Sequence, residues 1–245
     1  MPFFSIITVS FNAEKTIAET IGSVLNQSES DFEYIIIDGA SSDSTLEIVE
    51  SYRSAFKDKG ISLRVVSEKD NGIFDAMNKG IKLAEGKIVG IINSDDYYSE
   101  ETFEKVKAEF EREEFDILYG HLRVFGEKRD FIKRAKEQSK KFSTLYWNHP
   151  TMFVAKTVYN EYMYAVESMY DDLDFILRSR ERNKKIVVLD EILANFRLGG
   201  VSNGKSWKGR GDSIKLRNHI YSKYNQKGYR FNNWFMETVK YFLSK

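Results

Sequence analysis

The 245-residue chain is 42% hydrophobic, has no cysteine and carries a formal net charge of zero. Such a chain can build a sizeable core without disulfides or structural metal, and the missing cysteine excludes thiolate metal sites and thiol nucleophiles. No apolar run approaches the roughly 20 residues of a spanning helix, and Met1-Pro2-Phe3-Phe4 lacks a basic leader, so a cytoplasmic protein is expected.

In the first half, strand and helix patterns alternate. Apolar runs at 3–9, 34–37, 63–66 and 88–92 predict strands, and apolar spacings of three and four predict helices over 14–26, 44–56 and 73–84. Ser44 is placed to cap the second helix, with Glu47 three residues on completing a capping box. Alternation of this kind implies a parallel sheet with right-handed crossovers. Successive parallel strands end on one edge, so Asp38 and Asp95, each just past its strand, are expected to face one crevice.

The run Lys87-Ile-Val-Gly-Ile-Ile-Asn-Ser-Asp-Asp96 stops on two adjacent carboxylates. Unpaired acids at a strand end repel each other, and Mg²⁺ or Mn²⁺ bridging them to substrate phosphates would relieve this. A polar turn capping the next helix fits the same residues. Asp38-Gly39-Ala40 closes the second strand; Gly39 permits an unusual backbone angle, and Asp38 could accept hydrogen bonds from a base or ribose, or form an Asx turn. Neither GxGxxG nor GxxxxGK[ST] is present, which counts against nicotinamide and P-loop enzymes. The first turn, Thr8 to Asn12, has no glycine to cradle phosphate, so a diphosphate would be held chiefly by metal.

After about Thr102 the order changes. A charged helix over 101–113 precedes strand-like runs at 117–119, 121–125, 151–154 and 186–189, with a helix over 170–182 carrying Asp171, Asp172 and Asp174. Two prolines in the whole chain argue against a hinged arrangement, so the second half is read as an extension of the same sheet. From Lys205 to Lys245 there are ten Lys/Arg against Asp212 and Glu237, interleaved with aromatics such as Trp207, Tyr221, Tyr224 and Trp234. This tail suits peripheral contact with an anionic membrane, or a helical pair packing its aromatics on the body. The acidic remainder argues against nucleic acid.

Ser5-Ile-Ile-Thr-Val-Ser-Phe-Asn12, Ile37-Asp-Gly-Ala-Ser-Ser-Asp-Ser-Thr45, Glu68-Lys-Asp-Asn-Gly-Ile-Phe-Asp-Ala-Met-Asn-Lys-Gly80 and Asn93-Ser-Asp-Asp96 occur in order. Together they resemble the nucleotide-sugar half of family-2 glycosyltransferases, most of all those that build bacterial surface polysaccharides. Asn148-His-Pro-Thr151, Asp171-Asp-Leu-Asp-Phe175 and Phe196-Arg-Leu-Gly-Gly-Val-Ser202 extend the likeness more loosely. The resemblance implies an α/β GT-A (Rossmann-like) fold: a mostly parallel mixed sheet flanked by helices over 1–204, divided near 98, with a helical extension over 205–245.

The resemblance also implies roles. Thr8, Val9, Ser10 and Phe11 would line the base and ribose pocket, largely through backbone. Asp38 would hydrogen-bond the base, usually uracil; Asp70 would lie beside the base or ribose, and Asp75 near the donor sugar. Asp95 would bind the metal, with Asn93 in place of the family's first Asp leaving one fewer charge, and Asp96 would contact the sugar or a water behind it. The acceptor-side acidic pair appears as Asp171-Asp172, with Asp172 as catalytic base. Asp171 points about 100° around the helix from it, and Asp174 is expected as a helix-surface acid or the i, i+4 partner of Arg178. His149 is read as either a structural residue or a donor contact, and 199–202 as either a closing loop or a plain turn. The implied reaction is inverting transfer from a UDP-sugar to a glycan or lipid-linked acceptor. A non-catalytic sugar-binding module or a two-carboxylate glycoside hydrolase are the alternatives.

Overall fold

The computed structural model of the protein describes residues 1–138, 142–199 and 207–226, with backbone alone for 207–210. The first half runs β1 (Phe4–Ser10), α1 (Ile17–Leu25), β2 (Phe32–Asp38), α2 (Thr45–Ser51), α3 (Arg53–Asp58), β3 (Ser62–Ser67), α4 (Ile73–Leu83) and β4 (Ile88–Asn93). Then follow β5 (Tyr97–Tyr98), α5 (Thr102–Arg112), β6 (Ile117–Gly126), β7 (Arg129–Lys133), β8 (Phe153–Ala155), α6 (Lys156–Glu161), α7 (Asp171–Glu181), β9 (Ile186–Arg197) and α8 (Trp207–Lys223). They form a mixed sheet in the order β3-β2-β1-β4-β8-β6-β9-β5, with β7 paired to β6 beside that path.

Strands β3, β2, β1 and β4 are mutually parallel. Every residue of β1 and β2 is buried, so both faces of the sheet are covered there, which is why these strands read as near-continuous apolar runs. The register sets Ser10 beside Asp38, Asp38 beside Ser67, and Val9 beside Asn93. Three parallel strands therefore end level, on one edge, in polar residues.

The opposite edge is closed by a buried knot. The Ser5 hydroxyl donates to Glu33 Oε1 (2.6 Å), which also accepts from the Glu85 amide (2.6 Å), while the Gly86 amide donates to Ser5 Oγ (2.7 Å). A Cβ on Gly86 would lie 2.5 Å from the Phe4 carbonyl carbon and the Ser5 nitrogen, both backbone atoms that cannot swing aside. Gly86→Ala should therefore cost about 2 kcal/mol as an overpacking change, read as a lower urea midpoint at unchanged m-value.

Several expectations need correction. The helix over 44–56 is broken at Tyr52 into α2 and α3. Ser44 makes no capping hydrogen bond; Asp43 Oδ1 accepts from the Thr45 amide (3.0 Å) instead, and Glu14 accepts from the Ser44 amide (3.1 Å). The capping box does not form: the Ser44 amide that Glu47 would reach back to is taken by Glu14 from across the loop. The runs at 117–119 and 121–125 are one strand, β6, with irregular register between Tyr119 and Leu122, and 186–189 is only the start of β9. Residues 149–151 form a 3₁₀ turn before β8.

The described part of the C-terminal region packs on the body. Ile220, Tyr221 and Tyr224 of α8 are buried. Lys223 Nζ (2.8 Å) and the Tyr224 hydroxyl (2.9 Å) donate to Asp174 on α7, and Arg178 pairs with the same carboxylate. Asp174 is thus not a surface acid: it is 4% exposed and ties two helices together. Residues 200–206 and 227–245, with about half of the basic aromatic tail and the loop at 200–202, lie outside the described residues. Among the described residues no helix is long and apolar enough to cross a membrane.

Candidate active site

The level strand ends are stitched together by side chains. Asp38, with no exposed surface, accepts from Ser10 Oγ (3.1 Å) and Ser41 Oγ at Oδ1, and from the Ser41 amide (2.9 Å) and Ser67 Oγ (2.7 Å) at Oδ2. Both oxygens are committed, so Asp38 meets a base only if those serines rearrange; as it stands it braces three strand ends. Asn12 adds further stitches: its amide donates to Ser41 Oγ (2.8 Å) and its Oδ1 accepts from the Ser42 amide (2.9 Å).

Thr8 and Val9 do not line the edge. They are 0% and 5% exposed, sit between β2 and β4, and Thr8 Oγ1 is hydrogen-bonded to the Tyr34 hydroxyl (2.8 Å). A strand flanked on both sides spends its main-chain groups on the ladder. Phe11, just past the strand, is 65% exposed and is the aromatic surface on offer. Gly39 has an ordinary backbone; the left-handed residue is Ala40 (φ 63°). Gly39 is needed for closeness: a Cβ there would lie 2.7 Å from Asp70 Oδ2 and 3.3 Å from Phe11 Cδ2. Phe11, Gly39 and Asp70 therefore converge on one spot. Asp70 Oδ1 accepts from the Gly72 amide (2.8 Å), and Asp75 Oδ2 accepts from the Asn71 amide (2.9 Å), which fixes the turn that starts α4.

Beyond β4, Asp95 is half-buried and Asp96 has no exposed surface. Burial, and then the Asp95 charge, holds the Asp96 carboxyl well above the usual carboxylate range; burial also raises Asp95. Asp96 Oδ1 accepts from the Arg197 amide (3.0 Å), while Asp96 Oδ2 and Asn93 Oδ1 are buried without a hydrogen-bond partner. Carboxylate oxygens are the hard donors that Mg²⁺ or Mn²⁺ takes, and Asp95, the partly exposed one of the two acids, would hold such an ion with water and phosphate oxygens completing the shell. Among the described residues no group of three or more His, Cys, Asp or Glu gathers as a metal site, so the chain would supply a minority of the ligands. Asp96 itself has no exposed surface to offer a sugar.

Arg197 was not singled out in the sequence. Its Nε donates to the Asp95 carbonyl (3.3 Å), its guanidinium pairs with Glu19 and lies 4.8 Å from the Phe125 ring centre. A guanidinium shared with Glu19 therefore sits against the two acids. Only its place just before Gly199-Gly200 hinted at this.

At the start of α7 the two neighbouring acids divide sharply. Asp171 is buried and takes the Glu167 amide (2.7 Å), the Ser168 amide (3.0 Å) and the Ser168 hydroxyl (2.9 Å), so it holds the preceding loop. Asp172 accepts from the Leu173 amide (2.8 Å) and keeps partial exposure. Burial pushes its carboxyl up to about 6, with the Asp171 charge adding to the rise and Lys133 opposing it.

His149 Nε2 is hydrogen-bonded to the Tyr164 hydroxyl (3.0 Å), and burial holds the ring down to about 4, so it is neutral at physiological pH. A neutral imidazole carries no charge for a diphosphate. Tyr164 also stacks on Phe74 of α4 (5.1 Å), and its backbone amide (3.1 Å) and carbonyl (2.9 Å) bond to Asn78. It thereby joins the Asp172 side of the molecule to the helix that follows Asp70.

The sequence model of Glycosyl transferase family 2 matches residues 5–165. The uncharacterized glycosyltransferase EpsJ of Bacillus subtilis is 32% identical over 133 residues, covering 54% of this chain and 38% of that protein. The poly(ribitol-phosphate) beta-N-acetylglucosaminyltransferase TarS of Staphylococcus aureus is 35% identical over 117 residues, covering 47% of this chain and 20% of that protein. The chain thus spans well under two thirds of either relative. The crystal structure of S. aureus TarS 1-349 superposes with a TM-score of 0.69 at 24% identity, over 94% of this chain and 68% of that one. TarS 1-349 has also been solved with UDP and with UDP-GlcNAc. The mannosyltransferase PcManGT of Pyrobaculum calidifontis, in complex with GDP-Man and Mn²⁺, gives 0.67 at 14% identity, over 93% of this chain and 65% of that one. These structures share the GT-A arrangement of a mostly parallel mixed sheet flanked by helices.

Proposed function

The chain belongs to glycosyltransferase family 2, and from that premise we propose that it moves a sugar from a UDP-sugar, with inversion at the anomeric carbon, to a glycan or lipid-linked oligosaccharide in cell-surface polysaccharide synthesis. The observation that carries this reading is the convergence of Phe11, Gly39 and Asp70 on the edge where β4 runs into Asp95. The solved complexes of TarS with UDP and UDP-GlcNAc support uridine as the base. The reaction is assigned to the cytoplasm at the inner membrane face, where the basic tail would meet anionic lipid.

In this reading Phe11 stacks on the base, Asp70 takes a base or ribose proton donor, and Asp75 stands toward the donor sugar. Asp95 would hold Mn²⁺ or Mg²⁺, which when bound supplies positive charge to the departing diphosphate. Arg197, already paired with Glu19, adds its guanidinium beside Asp95. Asp172 accepts the proton of the acceptor hydroxyl as that oxygen attacks the anomeric carbon from the side opposite the diphosphate. Its raised carboxyl is a stronger base than an ordinary aspartate yet is still ionised at neutral pH.

The test is thermal-shift screening of nucleoside diphosphates with and without Mn²⁺. UDP should stabilise the chain more strongly when Mn²⁺ is present. Asp95→Ala should weaken Mn²⁺-dependent UDP binding by about tenfold or more, and titration calorimetry showing undiminished metal dependence would contradict the assignment.

A further inference from the structure

Among the described residues strand β7 is paired with β6 alone, and Phe131 within it is 48% exposed. Successive side chains of a strand point to opposite faces, so Arg129, Phe131 and Lys133 share one face and Asp130 and Ile132 the other. The far end of the first face is anchored at the Asp172 side. Lys133 Nζ donates to the Trp147 carbonyl (2.8 Å), the Lys133 carbonyl accepts from Asn148 Nδ2 (3.3 Å), and His149 follows directly with its bond to Tyr164. The charge of Lys133 also acts on Asp172. The face therefore starts at the Asn148–His149–Tyr164 contacts and runs outward over an aromatic ring to Arg129. Among the described residues 128–138 there are five Lys/Arg against Asp130 and Glu137, although the whole chain is neutral.

Resting on the transferase reading above, we propose that this β7 face is the acceptor track and that the acceptor is an anionic glycan. Phe131 packs against the apolar C–H face of a sugar unit, and Arg129 and Lys133 meet its phosphate or carboxylate groups. Charge complementarity selects this occupant. A lipid surface is a poorer match, because Phe131 and Ile132 are consecutive and project to opposite sides of the strand, so they cannot enter a bilayer together from one face.

The experiment uses the full chain and the double variant Arg129→Gln/Phe131→Ser, both at exposed positions. Binding is measured by microscale thermophoresis to a poly(ribitol phosphate) oligomer, an oligogalacturonate, a neutral dextran oligomer and phosphatidylglycerol vesicles. UDP with Mn²⁺ is measured in parallel. At least one anionic oligomer should bind the parent more tightly than dextran, lose affinity as salt rises, and bind the variant about tenfold more weakly, with UDP affinity unchanged. Equal affinity for dextran and both anionic oligomers, or an unaffected variant, overturns the proposal. Loss of vesicle binding alone overturns it too and assigns the face to membrane. Failure of the parent to bind UDP instead removes the donor reading, so the two failures are told apart.

Discussion

Replacing Asp172 with Asn should cut sugar transfer by about 10²–10⁴-fold while UDP affinity stays unchanged. The division of labour at the start of α7 requires this: Asp171 is consumed by the loop it holds, which leaves Asp172 as the carboxylate able to accept a proton. With its carboxyl at about 6, kcat/KM should fall as pH drops through that value, because the protonated form cannot serve as base. A profile flat to pH 4.5 would exclude the role. Stability supplies a second readout of opposite sign. A carboxyl raised on folding binds its proton more tightly in the native state, so its contribution is present at low pH and is lost as pH rises from the usual carboxylate range through about 6. The Asn variant, with no charge to bury, should therefore be at least as stable as the parent at pH 8. An inactive variant that is also unfolded would point to a structural residue instead.

Asp38→Ala should destabilise the chain by about 3 kcal/mol, measured by urea denaturation. Removing this carboxylate strands the hydroxyls of Ser10, Ser41 and Ser67 and the Ser41 amide around a buried gap. If Asp38 were simply a contact to the base, alanine would weaken UDP binding and leave the urea midpoint in place. The geometry predicts that both fall together, since the loop carrying Gly39 and Ala40 is held by the same carboxylate.

Much of the first half was readable because each local signal agreed with the global fold. The buried strands are apolar runs, the helices have regular spacing, and Asp38 and Asn93 stand where parallel strands must end. What could not be read is non-local. Ser44 has the right residue three positions downstream for a capping box, yet Glu14 takes the Ser44 amide from across a loop. Gly39 suggests a left-handed turn, but Ala40 bears it, and the glycine answers to Asp70, distant in sequence. Strand β7 was missed because Arg129-Asp-Phe-Ile-Lys133 carries too much charge to read as a half-buried strand; it is an exposed edge. Arg197 lay within a quoted motif without a role, since its nearness to Asp95 and Asp96 follows from β9 returning to the sheet beside them. Tyr164 gave no local signal, because its partners Phe74, Asn78 and His149 come from two other elements.

Asp174 lies two positions after Asp172 on the same helix and is gripped from α8 by Lys223, forty-nine positions further along the chain. The helix that carries the proposed base is therefore held from the far end of the described chain. Shortening the protein ahead of Lys223, or fusing a bulky partner there, would leave a buried negative charge with Arg178 alone to answer it. Such an edit would reach the chemistry as a shift of helix α7, without altering one residue that meets a substrate.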